Sequence, residues 1–147
     1  LSKEIGLNLI FNNREDSIMS LAEQLKLEDE TFTFELKFTT VSQTPEGTTV
    51  NATGTAGRYG KVWLTYNFSP NPNPENVHLG SFVGIGRAIT DDGTQNEGQR
   101  RGVYVMDGLK ATVYSLDDVT DGLPNFCIEH WDLSAETITL NFSRLEK

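Results

Sequence analysis

The stretch from Gly80 to Gly108 reads GSFVGIGRAITDDGTQNEGQRRGVYVMDG, and the fold depends on how its glycines are interpreted. Their spacing suggests a phosphate-binding loop, but such a loop must join a strand to a helix. Gly84 and Gly86 lie inside an apolar segment that predicts a strand, and Gly102–Met106 predicts another strand. With a turn at Asp92-Gly93, the stretch predicts a β-hairpin in which the alternate glycines mark a bend or a close backbone approach.

The alternation of apolar and polar residues continues on both sides of this stretch. In TFTFELKFTTV, residues 31–41, phenylalanine and leucine alternate with threonine, glutamate and lysine. Because the turns are short and no long crossover is present, neighbouring strands should pair antiparallel. About eight strands of this kind predict an all-β, antiparallel up-and-down β-barrel. The other strands are predicted near 49–56, 62–68, 79–90, 100–106, 110–116, 125–131 and 136–144, with a polar loop over 95–101.

One N-terminal amphipathic helix is predicted over residues 14–26. Asn13 and Asp16 have the spacing of a capping box, although glutamate or glutamine is the usual third residue. We expect a single domain over residues 1–147, in which 1–30 form the N-terminal segment and helix and 31–147 form the barrel. The apolar face of the helix has the spacing i, i+3, i+4 and i+7: Ile18, Leu21, Ala22 and Leu25.

The composition limits the classes of partner that we expect and indicates a cellular compartment. The formal charge of −9, from 21 acidic and 12 basic residues, repels phosphate backbones, so we expect no nucleic acid. No apolar run reaches the ~18 residues of a membrane span, so we expect no membrane. Cys127 is the one cysteine and favours a reducing compartment, which predicts a cytoplasmic location. The chain starts at Leu1, which leaves a removed leader or tag as an alternative; a homo-oligomer is also left open.

No metal or cofactor is predicted. The acidic run Asp117–Gly122 resembles a calcium loop, but Val119 and Ile128 occupy positions where an EF-hand needs oxygen ligands. The acidic turns are therefore interpreted as solubility and turn chemistry. His78, His130 and Cys127 lack the spacing of a zinc site, and the nucleophile motif Gly-x-Ser-x-Gly is absent from the sequence. Cys127 itself is predicted to be a small buried hydrophobic residue.

Candidate catalytic residues are polar side chains on otherwise apolar strand faces. A polar group on a buried face costs several kcal/mol unless it is paired, so such positions tend to be satisfied networks or sites. The alternative is that each of these residues lies at a strand end and reaches solvent. Arg87 alternates with Val83, Ile85 and Ile89, His130 with Phe126 and Ile128, Tyr66 with Leu64 and Phe68, Tyr114 with Thr112 and Leu116, and Glu129 with Cys127 and Trp131.

A family resemblance adds to this interpretation. Gly80-Ser-Phe82-Val-Gly84-Ile-Gly86 resembles the G-x-F-x-G strand of allene oxide cyclases and dirigent-type, calycin-like barrels. Gly57-Arg-Tyr59-Gly60-Lys-Val62 resembles a glycine–aromatic turn of the same group. The likeness covers about fifteen residues, and four predicted strands follow the motif, whereas in those families it lies nearer the C-terminus. Their catalytic residues have no counterpart that can be placed here. The resemblance implies a barrel whose apolar lumen lets a reactive hydrophobic substrate cyclise without a cofactor.

The leading hypothesis is a cofactor-independent cyclase or isomerase of a small, largely hydrophobic metabolite bound in the lumen. Arg87, Tyr66, Tyr114 and His130, with Glu129, would polarise a carbonyl or move one proton. The alternatives are a non-catalytic carrier of a hydrophobic ligand, or a structural or interaction barrel with a filled core. A lumen of several hundred Å³ fits the first two, and polar residues meeting at one point favour the enzyme. The filled core would consist of Phe32, Phe34, Phe38, Phe68 and Phe142.

Overall fold

The computed structural model describes residues 18–146 and contains a closed antiparallel barrel of eight strands. The strands are β1 (Phe32–Thr44), β2 (Gly47–Ala56), β3 (Gly60–Pro70), β4 (Leu79–Ile89), β5 (Gln95–Asp107), β6 (Lys110–Val119), β7 (Asn125–Asp132) and β8 (Thr137–Arg144). Each strand pairs with its neighbours in sequence, and β1 closes the barrel against β8. The predicted up-and-down barrel is confirmed.

The lumen contains the side chains that the alternating pattern assigns to one face of each strand. Leu36, Tyr66 and Ile138 are fully buried, and aromatic rings pack across the barrel between them. The ring centroids of Phe32 and Phe142 lie 5.2 Å apart. The phenylalanines of the filled-core hypothesis all belong to this interior cluster: Phe32, Phe34, Phe38, Phe68 and Phe142. Their burial supplies much of the hydrophobic stabilisation of the barrel.

The β4–β5 hairpin explains the glycines of the opening stretch. Gly84 faces the lumen, and a Cβ atom built on it would lie 1.8 Å from the carbonyl oxygen of Thr65 on β3. A Cβ atom on Gly86 would lie 2.7 Å from Cδ2 of Leu64. The two glycines therefore permit close approach within the barrel wall, and the hairpin interpretation is confirmed.

Two predictions about loops were wrong. Residues 95–101 form the start of β5 rather than a polar loop, because they complete the ladder with β4 from the Ile89–Gln95 pair onwards. Only Thr90–Thr94 make the turn, in which Gly93 has a φ of 89°. The acidic run Asp117–Gly122 is not wholly a turn either, since β6 continues to Val119 and carries Asp117 into the interior.

The predicted N-terminal helix is not confirmed. Among residues 18–146 there is one α-helical turn, α1 (Leu21–Gln24), which Ser20 and Glu23 close with a capping box. A 3₁₀ turn, Pro74–Asn76, lies between β3 and β4. The predicted apolar positions Ile18, Leu21 and Leu25 are exposed. The rest of the predicted helix before residue 18, with its predicted cap at Asn13 and Asp16, lies outside the described residues.

The antiparallel order gives the barrel two distinct ends. The start of β1, the end of β8 and the β2–β3, β4–β5 and β6–β7 turns lie at one end, here named the terminal end. The segment before β1 crosses this end, where the amide of Glu28 donates to the carbonyl of Arg144 at 2.8 Å. The remaining four turns lie at the other end, here named the hairpin end.

Replacement of Gly84 by alanine should destabilise the barrel by about 3 kcal/mol, because the new methyl group has no room beside the Thr65 carbonyl. Chemical denaturation measures the loss. Gly57→Ala is the matched control: it lies in the β2–β3 turn, where a Cβ atom would meet nothing within 4 Å. It should change the free energy of unfolding by less than about 0.5 kcal/mol. Equal effects of the two variants would contradict the close-approach argument.

Candidate functional site

A cluster of charged side chains lies inside the barrel. Arg100 on β5, Asp117 on β6 and Glu129 on β7 are 3%, 7% and 0% exposed. A single buried ion is costly, whereas ions that are paired and hydrogen-bonded can be retained. The guanidinium of Arg100 lies between the two carboxylates and pairs with both.

Glu129 is the most completely bonded member of the cluster. Its Oε1 accepts from the hydroxyl of Tyr66 at 2.7 Å and from Nε1 of Trp131 at 2.9 Å. Its Oε2 accepts from Nη2 of Arg100. Since both carboxylate oxygens are occupied, Glu129 is fixed in position and anchors three strands to one another.

Asp117 is bonded through one oxygen only. Its Oδ2 accepts from Nε of Arg100 at 2.8 Å and from the thiol of Cys127 at 3.2 Å. Nη2 of Arg100 also donates to the hydroxyl of Ser115 at 3.1 Å. Cys127 is buried, as predicted, and in addition acts as a hydrogen-bond donor to the cluster.

The strand register brings these residues together. Arg100 lies opposite Asp117 on β6 and opposite Gly84 on β4. Arg100 therefore has a carboxylate beside it on one neighbouring strand and a glycine on the other. The guanidinium carbon lies 5.0 Å from the ring centroid of Tyr66 and 5.6 Å from that of Phe82, within the range of a cation–π contact.

Burial sets the protonation of the cluster. Burial, with the charge of Glu129, raises the pKa of Tyr66 well above its ordinary value. Burial, with the charge of Asp117, likewise raises the pKa of the Cys127 thiol. Burial alone would lower the pKa of Arg100, but the negative charges around it, first of all Asp117, outweigh that effect and raise the pKa. The phenol and the thiol therefore stay protonated, and the arginine stays charged.

A cavity of about 70 Å³ opens beside Arg100 towards the terminal end of the barrel. We name it the Arg100 cavity. Its polar boundary includes Arg100, Asp117, Cys127, Asn125 and Tyr59, and its apolar walls include Phe34, Val62, Leu64, Leu140 and Phe142. The surface that faces the cavity is mainly apolar, because Nη1 of Arg100 and the Oδ1 atoms of Asp117 and Asn125 are almost wholly covered by protein.

A second polar network supports the rim of this cavity. The hydroxyl of Tyr59 accepts from Nδ2 of Asn125 at 2.8 Å and donates to Asp121 at 3.3 Å. Arg144 forms an ion pair with Asp121 and also donates to the Tyr59 hydroxyl. Burial raises the pKa of Tyr59, so its hydroxyl stays neutral. The network holds Asn125 and Tyr59 in fixed orientations.

A larger recess of about 350 Å³ lies at the hairpin end. We name it the Trp131 cup. Its walls are mainly apolar and aromatic, and the ring of Trp131 separates it from the Glu129 carboxylate. Its lining includes Phe38, Val50, Phe68, Tyr104, Ala111 and Trp131.

The structure brings together only two of the predicted catalytic residues. Tyr66 and Glu129 are hydrogen-bonded inside the lumen. The expectation that Arg87 shares a lumen face was wrong: its side chain is 68% exposed and pairs with Glu97 at 2.9 Å. His130 and Tyr114 are also exposed, so the strand-face argument failed for them too.

Sequence reasoning missed the central cation and its partner. Arg100 was assigned to a loop, and Asp117 to a solvated turn. A signal was present in β6, where Val113, Ser115 and Asp117 alternate and therefore share a face. The inward direction of that face became clear only when the neighbouring strands were in place.

Comparison of the chain with protein-family models, curated proteins and solved structures gave no match. The resemblance to allene oxide cyclases therefore stays a prediction, as do the compartment, the partners and a homo-oligomer. Among residues 18–146, no helix has the length and apolar character needed to cross a membrane. The same residues contain no group of three or more His, Cys, Asp or Glu side chains placed to hold a metal ion.

Glu129→Gln should destabilise the protein by about 3–5 kcal/mol, because it removes one partner of a buried ion pair and turns an amide group towards the guanidinium. Urea unfolding monitored by circular dichroism measures the change. Glu97→Gln makes the same substitution in the exposed Arg87 pair and should leave the free energy of unfolding close to that of the wild type. A Glu129→Gln protein as stable as the Glu97→Gln protein would show that the cluster contributes nothing to stability.

The protein should lose stability at alkaline pH. The unfolded chain releases the thiol proton near pH 9 and the tyrosine proton near pH 10, while the folded barrel retains both because their pKa values are raised. The unfolded state then binds fewer protons, so the free energy of unfolding falls by about 1.4 kcal/mol per pH unit for each retained proton. Unfolding curves between pH 8 and 11 measure the slope. Tyr66→Phe should flatten it above pH 10, whereas the exposed Tyr114→Phe should not; identical slopes would count against the assignment.

Proposed function

We propose that the protein binds a small, largely apolar molecule in the Trp131 cup. The observation that carries this proposal is the recess itself: a volume of about 350 Å³ with aromatic and aliphatic walls. Ligand pockets typically measure about 300–1,000 Å³ and bury most of the ligand. The volume of the recess favours a small molecule rather than a peptide or another protein domain.

The walls define the chemistry of the ligand. The rings of Phe68, Tyr104 and Trp131 pack edge to face, with centroids 5.4 and 5.3 Å from Phe68. Phe38 contacts Trp131 at a centroid distance of 5.2 Å. This packing presents a rigid aromatic surface, which favours a planar or alicyclic hydrocarbon skeleton over a flexible polar one.

Of the two lumen-binding hypotheses, carriage has the greater support in this cup. Among the described residues that line it, only Tyr104 and Glu136 have ionisable side chains. Glu136 is exposed in the β7–β8 turn. Trp131 lies between the ligand space and Glu129, so the charged cluster does not reach the cup directly.

Cofactor-free cyclisation is the second candidate, and Tyr104 favours it. Burial raises the pKa of the Tyr104 hydroxyl, so it remains a donor at neutral pH. One donor in an apolar recess can orient a carbonyl and exclude water, which are the main requirements of a conformational cyclase. Tyr104 has room because its hydroxyl lies against Gly80, where a Cβ atom would approach it to 2.3 Å.

The test uses N-phenyl-1-naphthylamine, a neutral apolar fluorescent probe. The probe should bind saturably and change the fluorescence of Trp131, measured in a Trp63→Phe background because Trp63 is exposed on the outer face. Ala111→Phe fills the cup and should weaken binding at least tenfold, which corresponds to about 1.4 kcal/mol. Thr112→Phe, the next residue on β6 and on the opposite face, is the matched control and should bind normally. Equal binding by both variants would place the probe elsewhere and refute the proposal.

A further inference from the structure

The Trp131 cup is lined by aromatic rings that are linked by close contacts. Phe38, Phe68 and Tyr104 are half-buried, and each lines the recess. The ring centroids of Phe38 and Phe68 lie 5.2 and 5.3 Å from that of Trp131. Tyr104 contacts Phe68 at a centroid distance of 5.4 Å. Several aromatic side chains around one space attract an organic cation, because the faces of the rings are negative.

A buried carboxylate lies behind the floor of the cup. Nε1 of Trp131 donates to Oε1 of Glu129 at 2.9 Å. This hydrogen bond shifts electron density into the indole ring, which strengthens the attraction of the ring for a positive charge on the cup side. The cluster behind the ring combines one arginine with two carboxylates, Arg100 with Asp117 and Glu129, so its formal charge is negative.

The rim of the cup carries a glutamate. Glu136 lines the recess and is exposed, and its carbonyl accepts from the amide of Phe38 at 3.0 Å. Its φ of 57° lies in the left-handed region, and among residues 18–146 no other residue except glycine has a positive φ. Glycine is the usual residue in that region because a Cβ atom is strained there. A strained residue with an exposed carboxylate at a recess points to a role for that side chain.

The hairpin end as a whole is acidic. Its four turns and the residues that flank them contain five carboxylates and one lysine: Glu46, Glu75, Asp107, Asp132, Glu136 and Lys110. Lys110 pairs with Asp132 at 3.0 Å, which leaves the other four carboxylates in excess. Lys37 is exposed on the outer face of β1, because its neighbours Leu36 and Phe38 face inward. An entrance of one sign raises the local concentration of ligands of the opposite sign.

We propose that the molecule bound in the Trp131 cup carries a positive charge, as a tertiary or quaternary ammonium group on a compact hydrocarbon skeleton. This inference rests on the proposed function, since it names the class of ligand for the same recess. The ammonium group contacts the rings of Phe38, Phe68 and Trp131, and Glu136 pairs with it from the rim. A methylated ammonium ion suits such walls, because it is more weakly hydrated than a bare one and its methyl groups pack on the rings.

The experiment compares two phenols of the same shape, 3-(trimethylammonio)phenol and 3-tert-butylphenol, by isothermal titration calorimetry. The two compounds differ in one atom, which is a charged nitrogen in the first and a neutral carbon in the second. A cup that recognises only apolar surface binds the tert-butyl compound more tightly, because that compound is the more hydrophobic. The wild-type protein should reverse this order and bind the ammonium compound at least tenfold more tightly.

The calorimetry separates this inference from the proposed function. An ammonium compound that binds no more tightly than its neutral counterpart overturns the inference, and the proposed function stands if N-phenyl-1-naphthylamine still binds in the cup. Phosphatidylcholine vesicles present the same trimethylammonium group on a lipid surface and should not bind the protein. Sedimentation of the protein with these vesicles, abolished by Ala111→Phe, would overturn the assignment to a small molecule.

Variants assign the selectivity to the cup. Glu136→Gln keeps the size of the side chain and removes its charge, so it should weaken binding of the ammonium compound at least threefold and leave the tert-butyl compound unchanged. Glu75→Gln is the matched control and should change neither, because Glu75 is exposed at the same end but does not line the cup. Phe38→Leu keeps an apolar wall and removes one ring, and it should also weaken only the ammonium compound. Unchanged selectivity in folded Glu136→Gln and Phe38→Leu proteins overturns the proposal.

Discussion

The buried pairing of Arg100 with Glu129 and Asp117 is the constraint on which the rest of the structure depends. Removing these ions from water costs several kcal/mol each, and only close pairing and additional hydrogen bonds offset that cost. Tyr66, Trp131, Ser115 and Cys127 supply the additional bonds. The cluster therefore ties β3, β5, β6 and β7 to one another, and it needs a closed barrel to keep water away.

The close approach of β3 explains the reversed pattern of β4. Phe82, Gly84, Gly86 and Ala88 face inward, whereas Val83, Ile85 and Ile89 face outward and are exposed. Glycine is required at two of the inward positions because the carbonyl of Thr65 and the side chain of Leu64, both on β3, occupy the space that a Cβ atom on Gly84 or Gly86 would fill. Packing volume, rather than hydrophobicity, decides the orientation of this strand.

The central layer divides the lumen into two compartments with different chemistry. Trp131 closes the floor of an apolar cup at the hairpin end, and Arg100 lies beside a smaller cavity at the terminal end. Phenylalanines of the filled-core hypothesis form walls of both cavities, Phe34 and Phe142 beside Arg100 and Phe38 and Phe68 in the cup, so they fill the lumen only in part. Polar residues do meet inside the barrel, where Arg100 and Asp117 join the predicted Tyr66 and Glu129, whereas Arg87, His130 and Tyr114 lie outside this cluster.

The sequence by itself determined the number, order and antiparallel pairing of the strands, because alternation and short turns are local properties. It also placed Tyr66 and Glu129 on faces with apolar neighbours. It did not determine which face of β4 or β5 is inward, since alternation shows which residues share a face but not which side of the wall they occupy. Only the closed tertiary structure decided that, because residues from β4 to β7 that are far apart in sequence must fill one volume and neutralise one buried cation. Arg87 and Arg100 both lie in alternating stretches of sequence. Arg87 forms an ion pair on the surface, whereas Arg100 is the central buried ion, and the two differ in their neighbours: Gly84 and Asp117 lie opposite Arg100 on the adjacent strands.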